Sequence, residues 1–171
     1  MDRNEPGKSR QHSTLSRALD NAPYAVMVVL GAAIIALGRE RFGWAWIGAG
    51  GYVAYGALAA LWIIVFLCPY CRSYGKRSCP SGYGLISAKL RARGHPALFS
   101  KMFRRHIPVI MPLWIMPPII GGVAIANSFS WPLAILVGAF ILEAWVLLPV
   151  LSKRRGCKNC PQREACPWAS G

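Results

Sequence analysis

The sequence predicts an all-α integral membrane protein: four transmembrane helices arranged as two repeated hairpins, with short cytoplasmic amphipathic helices beside them. Three observations predict it. Four long apolar stretches contain no lysine or arginine, nearly all basic residues fall on one side of those stretches, and a cysteine triplet follows the second and the fourth.

The chain opens on a cytoplasmic arm, residues 1–21, that is polar and mixed in charge and ends in a short amphipathic turn around residues 14–19. It lacks the small-residue cleavage site of a secretory signal. The first hairpin follows over residues 22–67, with spans at 22–38 and 44–67. A loop at 68–106 leads to the second hairpin, 107–151, with spans at 107–126 and 131–151, and a tail at 152–171 closes the chain. A hydrocarbon core of roughly 30 Å takes about 20 helical residues to cross. The first span is short for this and reaches full length if it recruits Leu19 or meets a thinner bilayer. Hydrocarbon offers the backbone no partners, so each span satisfies its own hydrogen bonds as a helix.

Orientation follows from charge. Of 20 basic residues only Arg39 and Arg41 fall on the side of the two short links, and the rest lie on the arm, the middle loop and the tail. The positive-inside rule puts those three segments, and both termini, in the cytoplasm of a cell with an inner membrane. The net charge of +14 is therefore a topology signal, and no nucleic-acid partner is expected.

The two halves align. An offset of 90 sets Tyr24 on Trp114 and Gly31-Ala32 on Gly121-Gly122, and an offset of 87 sets Phe42 and Trp44 on Phe129 and Trp131. An offset of 89 sets Cys68 and Cys71 on Cys157 and Cys160. Shifting offsets are what small insertions leave in an old duplication. Two parallel copies of a hairpin imply a pseudo-twofold axis along the membrane normal, with the triplets facing each other across it.

Inside the spans, Gly48, Gly50, Gly51, Ala54, Gly56, Ala57, Ala59 and Ala60 suit close helix packing. Pro112, Pro117 and Pro118 are expected to kink or unwind the third span. Tyr24, Phe42, Trp44, Trp46, Trp114 and Trp131 lie near span ends and read as interfacial anchors. Glu143 is the one ionisable side chain inside a span, and an intramembrane carboxylate is costly enough to be a candidate for proton handling. The plainer alternative is a protonated carboxyl bonded to a neighbouring helix. In the loop, residues 85–93 and 97–105 form two basic amphipathic helices, the first with Leu85, Ile86 and Leu90 on its apolar face, the second with Leu98, Met102 and Phe103. Such helices lie on the anionic cytoplasmic leaflet, or dock an acidic partner protein.

The cysteines carry the chemistry. Six cysteines in a reducing compartment argue against structural disulfides. Cys68, Cys71 and Cys79 form C-x2-C-x7-C-P, and Cys157, Cys160 and Cys166 form C-x2-C-x5-C-P. A C-x2-C turn brings two sulfurs to one metal. The third cysteine followed by proline resembles the Cys-Pro ending of ferredoxin cluster runs. Each triplet supplies three thiolates where a four-iron cluster takes four. The fourth ligand is then a histidine such as His95 or His106, a non-protein group, or a thiolate shared across the axis. Iron–sulfur ligation is the leading expectation and zinc the alternative, whether in one centre or two.

Cys68-Pro-Tyr-Cys71 also resembles the C-P-Y-C active site of glutaredoxins, which keeps a thiol–disulfide oxidoreductase open. Neighbouring Arg72, Lys76, Arg77, Lys153, Arg154, Arg155 and Lys158 favour thiolates. No haem is expected, because no pair of histidines falls inside the bundle. The architecture resembles membrane-bound ferredoxin-type subunits, which implies an electron-transfer anchor or relay in a larger membrane complex, a soluble redox partner, and possible exchange with quinone. The rival from another class is a membrane scaffold with structural zinc.

Overall fold

A computed structural model describes residues 13–38, 42–157, 160, 163, 166 and 167, without the side chains of 42–44 and 155–157. The arm before Ser13, the side chains of Phe42 and Trp44, and the thiol of Cys157 lie outside the described residues.

The described residues are helical throughout their ordered elements, with no strand among them. Helix α1 spans Thr14–Leu37 and α2 spans Phe42–Phe66. The loop carries α3, Tyr83–Leu90, and α4, Phe99–His106. Then come α5, Pro112–Asn127, and α6, Trp131–Leu142, which runs on through a π-helical segment, Glu143–Leu147, into α7, Leu148–Leu151. Four helical runs are long and apolar enough to cross a membrane: Thr14–Leu37, Ala45–Tyr70, Pro96–Asn127 and Trp131–Arg154.

Helix α1 is longer than its apolar stretch because Ser13 caps it. The Ser13 hydroxyl accepts from the Ser16 amide at 3.2 Å, so the turn expected at residues 14–19 is the first part of the spanning helix. Helix α1 also occupies the centre, packing on α2, α5 and α6, while α2 meets α5 only lightly. Its inward stripe is Met27, Val28, Gly31, Ile34 and Ile35, at the spacing of one helical face. From α2, the buried residues Ala45, Ala49, Tyr52, Gly56 and Ala59 recur every three or four positions. Leu113, Leu133 and Phe140 complete the core from α5 and α6.

Only part of the small-residue set in α2 serves this packing. Gly56 abuts Val28 and Gly48 abuts Ile35, whereas Gly50 and Gly51 have nothing within 4 Å of a Cβ position and Ala54 and Ala57 are exposed. Of the aromatic anchors, Trp46 and Trp131 are exposed at the end bearing the short links, with Trp131 edge-on to Phe129 at 5.1 Å. Tyr24 and Trp114 instead pack against the core, and the Tyr24 hydroxyl donates to the Gly56 carbonyl at 2.8 Å.

The prolines act upstream of where the sequence suggests. Pro117 and Pro118 stay inside α5, and the third span unwinds before Pro112, in a 3-10 turn over Ile107–Val109. Proline has no N–H, so Pro117 leaves the Leu113 carbonyl without its helical donor. Tyr52 of α2 supplies one, its hydroxyl donating to Leu113 O at 2.6 Å. Nearby, the Leu113 amide goes to Ile110, and the Tyr55 hydroxyl donates to the Val109 carbonyl. Two tyrosines of one helix thus cap carbonyls exposed in the irregular part of another. Tyr52→Phe is expected to cost about 1 kcal/mol in a detergent-denaturation titration, since membrane hydrogen bonds are worth little more than that. Pro117→Ala, which restores an N–H, is expected to recover most of that loss in the double variant.

Candidate thiol site

The start of α1, the middle loop and the end of the fourth span meet at one end of the bundle. Arg17 Nη2 donates to the Arg77 carbonyl at 3.3 Å, and Asn21 Nδ2 donates to the Ser81 carbonyl at 3.0 Å. A cleft of about 230 Å³ between Leu19, Asp20, Pro80, Ser81, Leu151 and Ser152 marks the junction. The end that carries both triplets is therefore also the end of the basic segments.

The first triplet is built by short turns. Where α2 stops, Pro69 favours a 3-10 turn over Cys68–Tyr70, and the Cys71 amide donates to the Cys68 carbonyl at 3.1 Å. The chain then reverses, with Tyr74 N–H on the Cys71 carbonyl, Cys79 N–H on Lys76 and Gly82 N–H on Cys79. Gly82 sits at φ 78°, a left-handed conformation that suits glycine, and starts α3. Helix α3 lies close against this turn: a Cβ on Gly84 would meet the Ser73 carbonyl oxygen at 2.7 Å. The Ser73 amide points at Cys71 Sγ, 3.5 Å away, and Cys79 Sγ lies 3.6 Å from Ser81 Oγ. A backbone N–H aimed at sulfur favours the thiolate.

Cys68, Cys71, Cys160 and Cys166 are partly buried and Cys79 is buried, and none of the five forms a disulfide. Cys68 lies within electrostatic reach of both Cys71 and Cys79. Cys160, from the tail, is close enough for its charge to act on Cys71. Burial pushes the Cys71 thiol up, the Ser73 amide pulls it partly back, and Cys160 and Cys79 add to the rise. Burial likewise raises the Tyr83 hydroxyl, with Cys68 and Cys79 adding to the rise. Among the described residues, no group of three or more His, Cys, Asp or Glu side chains is arranged to hold a metal ion. The sulfurs thus act on one another electrostatically without closing into a coordination shell among the described residues.

The raised Cys71 thiol has a measurable consequence. Alkylation needs the thiolate, so labelling of Cys71 in a variant keeping it as its single cysteine is expected to be slow at pH 7. The rate is expected to climb roughly tenfold per pH unit past the ordinary thiol range near 8.5 rather than level off there. Levelling near 8.5 would refute the burial. Because the folded state resists losing this proton, the associated stability is complete below the unfolded pKa and is lost as pH rises toward the folded one.

The histidines stand at the edge of the site. His95 is exposed and begins a 3-10 turn, its Nδ1 accepting from the Ala97 amide at 3.4 Å. The preceding Gly94 donates its N–H to the Pro69 carbonyl, which ties this segment to the Cys68–Cys71 turn. His106 stacks on Phe66 at 5.2 Å and meets Trp62 edge-on at 5.7 Å, at the foot of α2.

Helix α4 turns Phe99, Met102, Phe103 and His106 inward and leaves Lys101, Arg104 and Arg105 exposed. Helix α3 departs from the expected face. It buries Gly84 and Ser87 against the turn and exposes Ile86 and Leu90, because its tight contact is made by the small residues. Glu143 is buried at the start of the π-helical segment, on a stretch packed against α1 and far along the span from the short links.

What the sequence did not reveal is the support around the sulfurs. The Ser73 amide, the Tyr83 ring and the Gly84 contact come from turns whose closure depends on α3 folding back. The signal that could have found them is Gly82-Tyr83-Gly84, placed just after Cys79-Pro80. No family model, no curated protein and no solved structure matches this chain.

Proposed function

We propose that this chain is a membrane-anchored electron-transfer subunit whose cysteines hold a thiolate-ligated iron–sulfur centre at the cytoplasmic face. The observation that supports the proposal is that Cys160, from the tail, lies within electrostatic reach of Cys71, from the middle loop, which with Cys79 is within such reach of Cys68. Drawn together on a cluster, these four thiols from two segments distant in sequence would give the ligand count it takes. Cys157, whose thiol lies outside the described residues, and Cys166 sit in the same tail. His95 and His106 remain candidate extra ligands. When bound, the centre supplies one-electron transfer. The chain's own part is to present thiolates, aim the Ser73 amide at Cys71 and shield the group with Tyr83.

In this reading the two hairpins descend from a duplicated unit, both termini lie in the cytoplasm, and the membrane is the inner one. The charge excess on the arm, loop and tail supports that orientation. The exposed cations of α4 suit an anionic leaflet, with a soluble redox protein or a larger complex as partner and quinone as a possible acceptor. Glu143 is the candidate for proton handling, since π-helical segments often mark functional positions.

The test is anaerobic purification of the full chain in mild detergent, with iron, acid-labile sulfide and zinc measured against protein. Iron and sulfide in stoichiometric amounts, with visible absorbance, are expected. Stoichiometric zinc without colour would replace the proposal with a structural zinc scaffold. A second reading, a thiol–disulfide oxidoreductase, draws on the 3-10 turn that places the free thiols Cys68 and Cys71 at its two ends. Metal-free protein whose Cys68–Cys71 pair cycles between dithiol and disulfide would favour it.

A further inference from the structure

The spanning part of the bundle holds a cleft that the thiol site does not use. Its volume is about 440 Å³; Ile35 of α1 forms its floor, Gly48, Gly51 and Tyr52 of α2 one wall, and Met116 and Ile120 of α5 the other. Its origin lies in the capping arrangement described above. Tyr52 and Tyr55 reach across to the carbonyls of Leu113 and Val109, so the two backbones stand a tyrosine's length apart. Glycines at 48 and 51 then supply no side chain to fill the gap, and a Cβ on Gly51 would touch nothing within 4 Å.

The chemistry of the walls selects the occupant. Both tyrosine hydroxyls that border the cleft are engaged as donors, and the rest of the lining named above is hydrocarbon, thioether or glycine. Water needs several polar partners to occupy a cavity stably, and this wall offers few. The volume falls within the range of binding clefts for small molecules. Gly51 and Met116, which line the cleft from its two walls, are both exposed, and α1, α2 and α5 all belong to runs long and apolar enough to cross a membrane, so a cleft open to the outside of the bundle there faces lipid.

We propose that this cleft binds one acyl chain of a bilayer phospholipid, inserted between α2 and α5 at mid-span. The site reads the chain and is indifferent to the headgroup, because it offers no free polar group at that depth.

The experiment uses the full chain in lipid nanodiscs containing phosphatidylglycerol spin-labelled near the methyl end of one acyl chain. Three proteins are compared: the wild type, Gly51→Phe, whose ring fills the cleft, and Gly50→Phe, whose added Cβ also meets open space but does not line it. The Gly51→Phe protein is expected to lose one motionally restricted chain per molecule, while Gly50→Phe matches the wild type. Met116→Trp narrows the cleft from the opposite wall and is expected to give the same loss, which keeps the test intact should Gly51→Phe fold poorly. Equal restricted fractions in all the proteins would overturn the proposal. So would displacement of the restricted chain by stoichiometric isoprenoid quinone but not by unlabelled phospholipid, which would assign the cleft to a quinone tail. A dimer in the wild type that Gly51→Phe converts to monomer would assign it to a second copy of the chain.

Discussion

Replacing Gly121 by leucine is expected to destabilise the bundle by about 3 kcal/mol or more, at the upper end of overpacking costs. Gly121 is the point where α5 meets both α1 and α6. A Cβ there would collide with Val137 Cγ2 and come within 2.9 Å of Ile34 Cγ2. Neither neighbour has room to give. Ile34 is fully buried in the central helix, and both side chains are β-branched and stiff at χ1. Lipid gives these helices no hydrophobic drive to associate, so close backbone approach is what holds them, and losing it at a three-helix junction removes much of it. The neighbouring Gly122 is the control, because nothing lies within 4 Å of its Cβ position. Gly122→Leu is expected to stay within roughly 0.5 kcal/mol of the parent, as surface substitutions usually do. Thermal unfolding in mild detergent, read by the fraction of protein remaining monodisperse, separates the two. Equal losses in both variants would refute the rotation of α5 about its axis.

The second large effect is expected at the thiol site. On the proposed reading, Cys160→Ser should leave the bundle standing, since no described tail residue belongs to the apolar core, yet abolish stoichiometric iron and sulfide in anaerobically purified protein. The argument is one of ligand count. With Cys160 gone, the neighbouring sulfurs described here fall to the three of the middle loop, one short of the usual set. A serine hydroxyl is a poor thiolate substitute at neutral pH. The proteins are compared by iron, sulfide and visible spectrum per mole, with unfolding measured in parallel to show that the bundle survives. Retention of full iron and sulfide by Cys160→Ser would remove the tail from the centre. Because ligation releases thiol protons and burial holds the Cys71 proton tightly, metal uptake by the parent should strengthen as pH rises.

The placement of Cys160 also bears on how the two halves relate. The offset that aligns Cys68 and Cys71 with Cys157 and Cys160 led to the expectation that the triplets face each other. Cys160 is within electrostatic reach of Cys71, while the helices are not equivalent in their packing: α1 touches α5 and α6 firmly, and α2 touches α5 lightly. The tyrosine-bridged gap between α2 and α5 accounts for the asymmetry. The second half has no tyrosines at the corresponding offset of 87, where Ala139 and Leu142 stand.

By itself the sequence determined the four apolar spans and the end of the bundle at which the cysteines and cations gather. Both are local properties: hydropathy adds up over about 20 neighbouring residues, and charge follows the segment that carries it. The rotation of each helix about its axis was not determined. In a soluble protein the polar face of a helix marks the outside, but here lipid and core are equally apolar, so Gly51 and Gly56, or Gly121 and Gly122, look alike until neighbours are in place. The same holds for Tyr52 and Tyr55, whose partners are carbonyls left open by distant prolines and turns. The electrostatic reach of Cys160 to Cys71 is likewise tertiary, since it links segments nearly ninety positions apart.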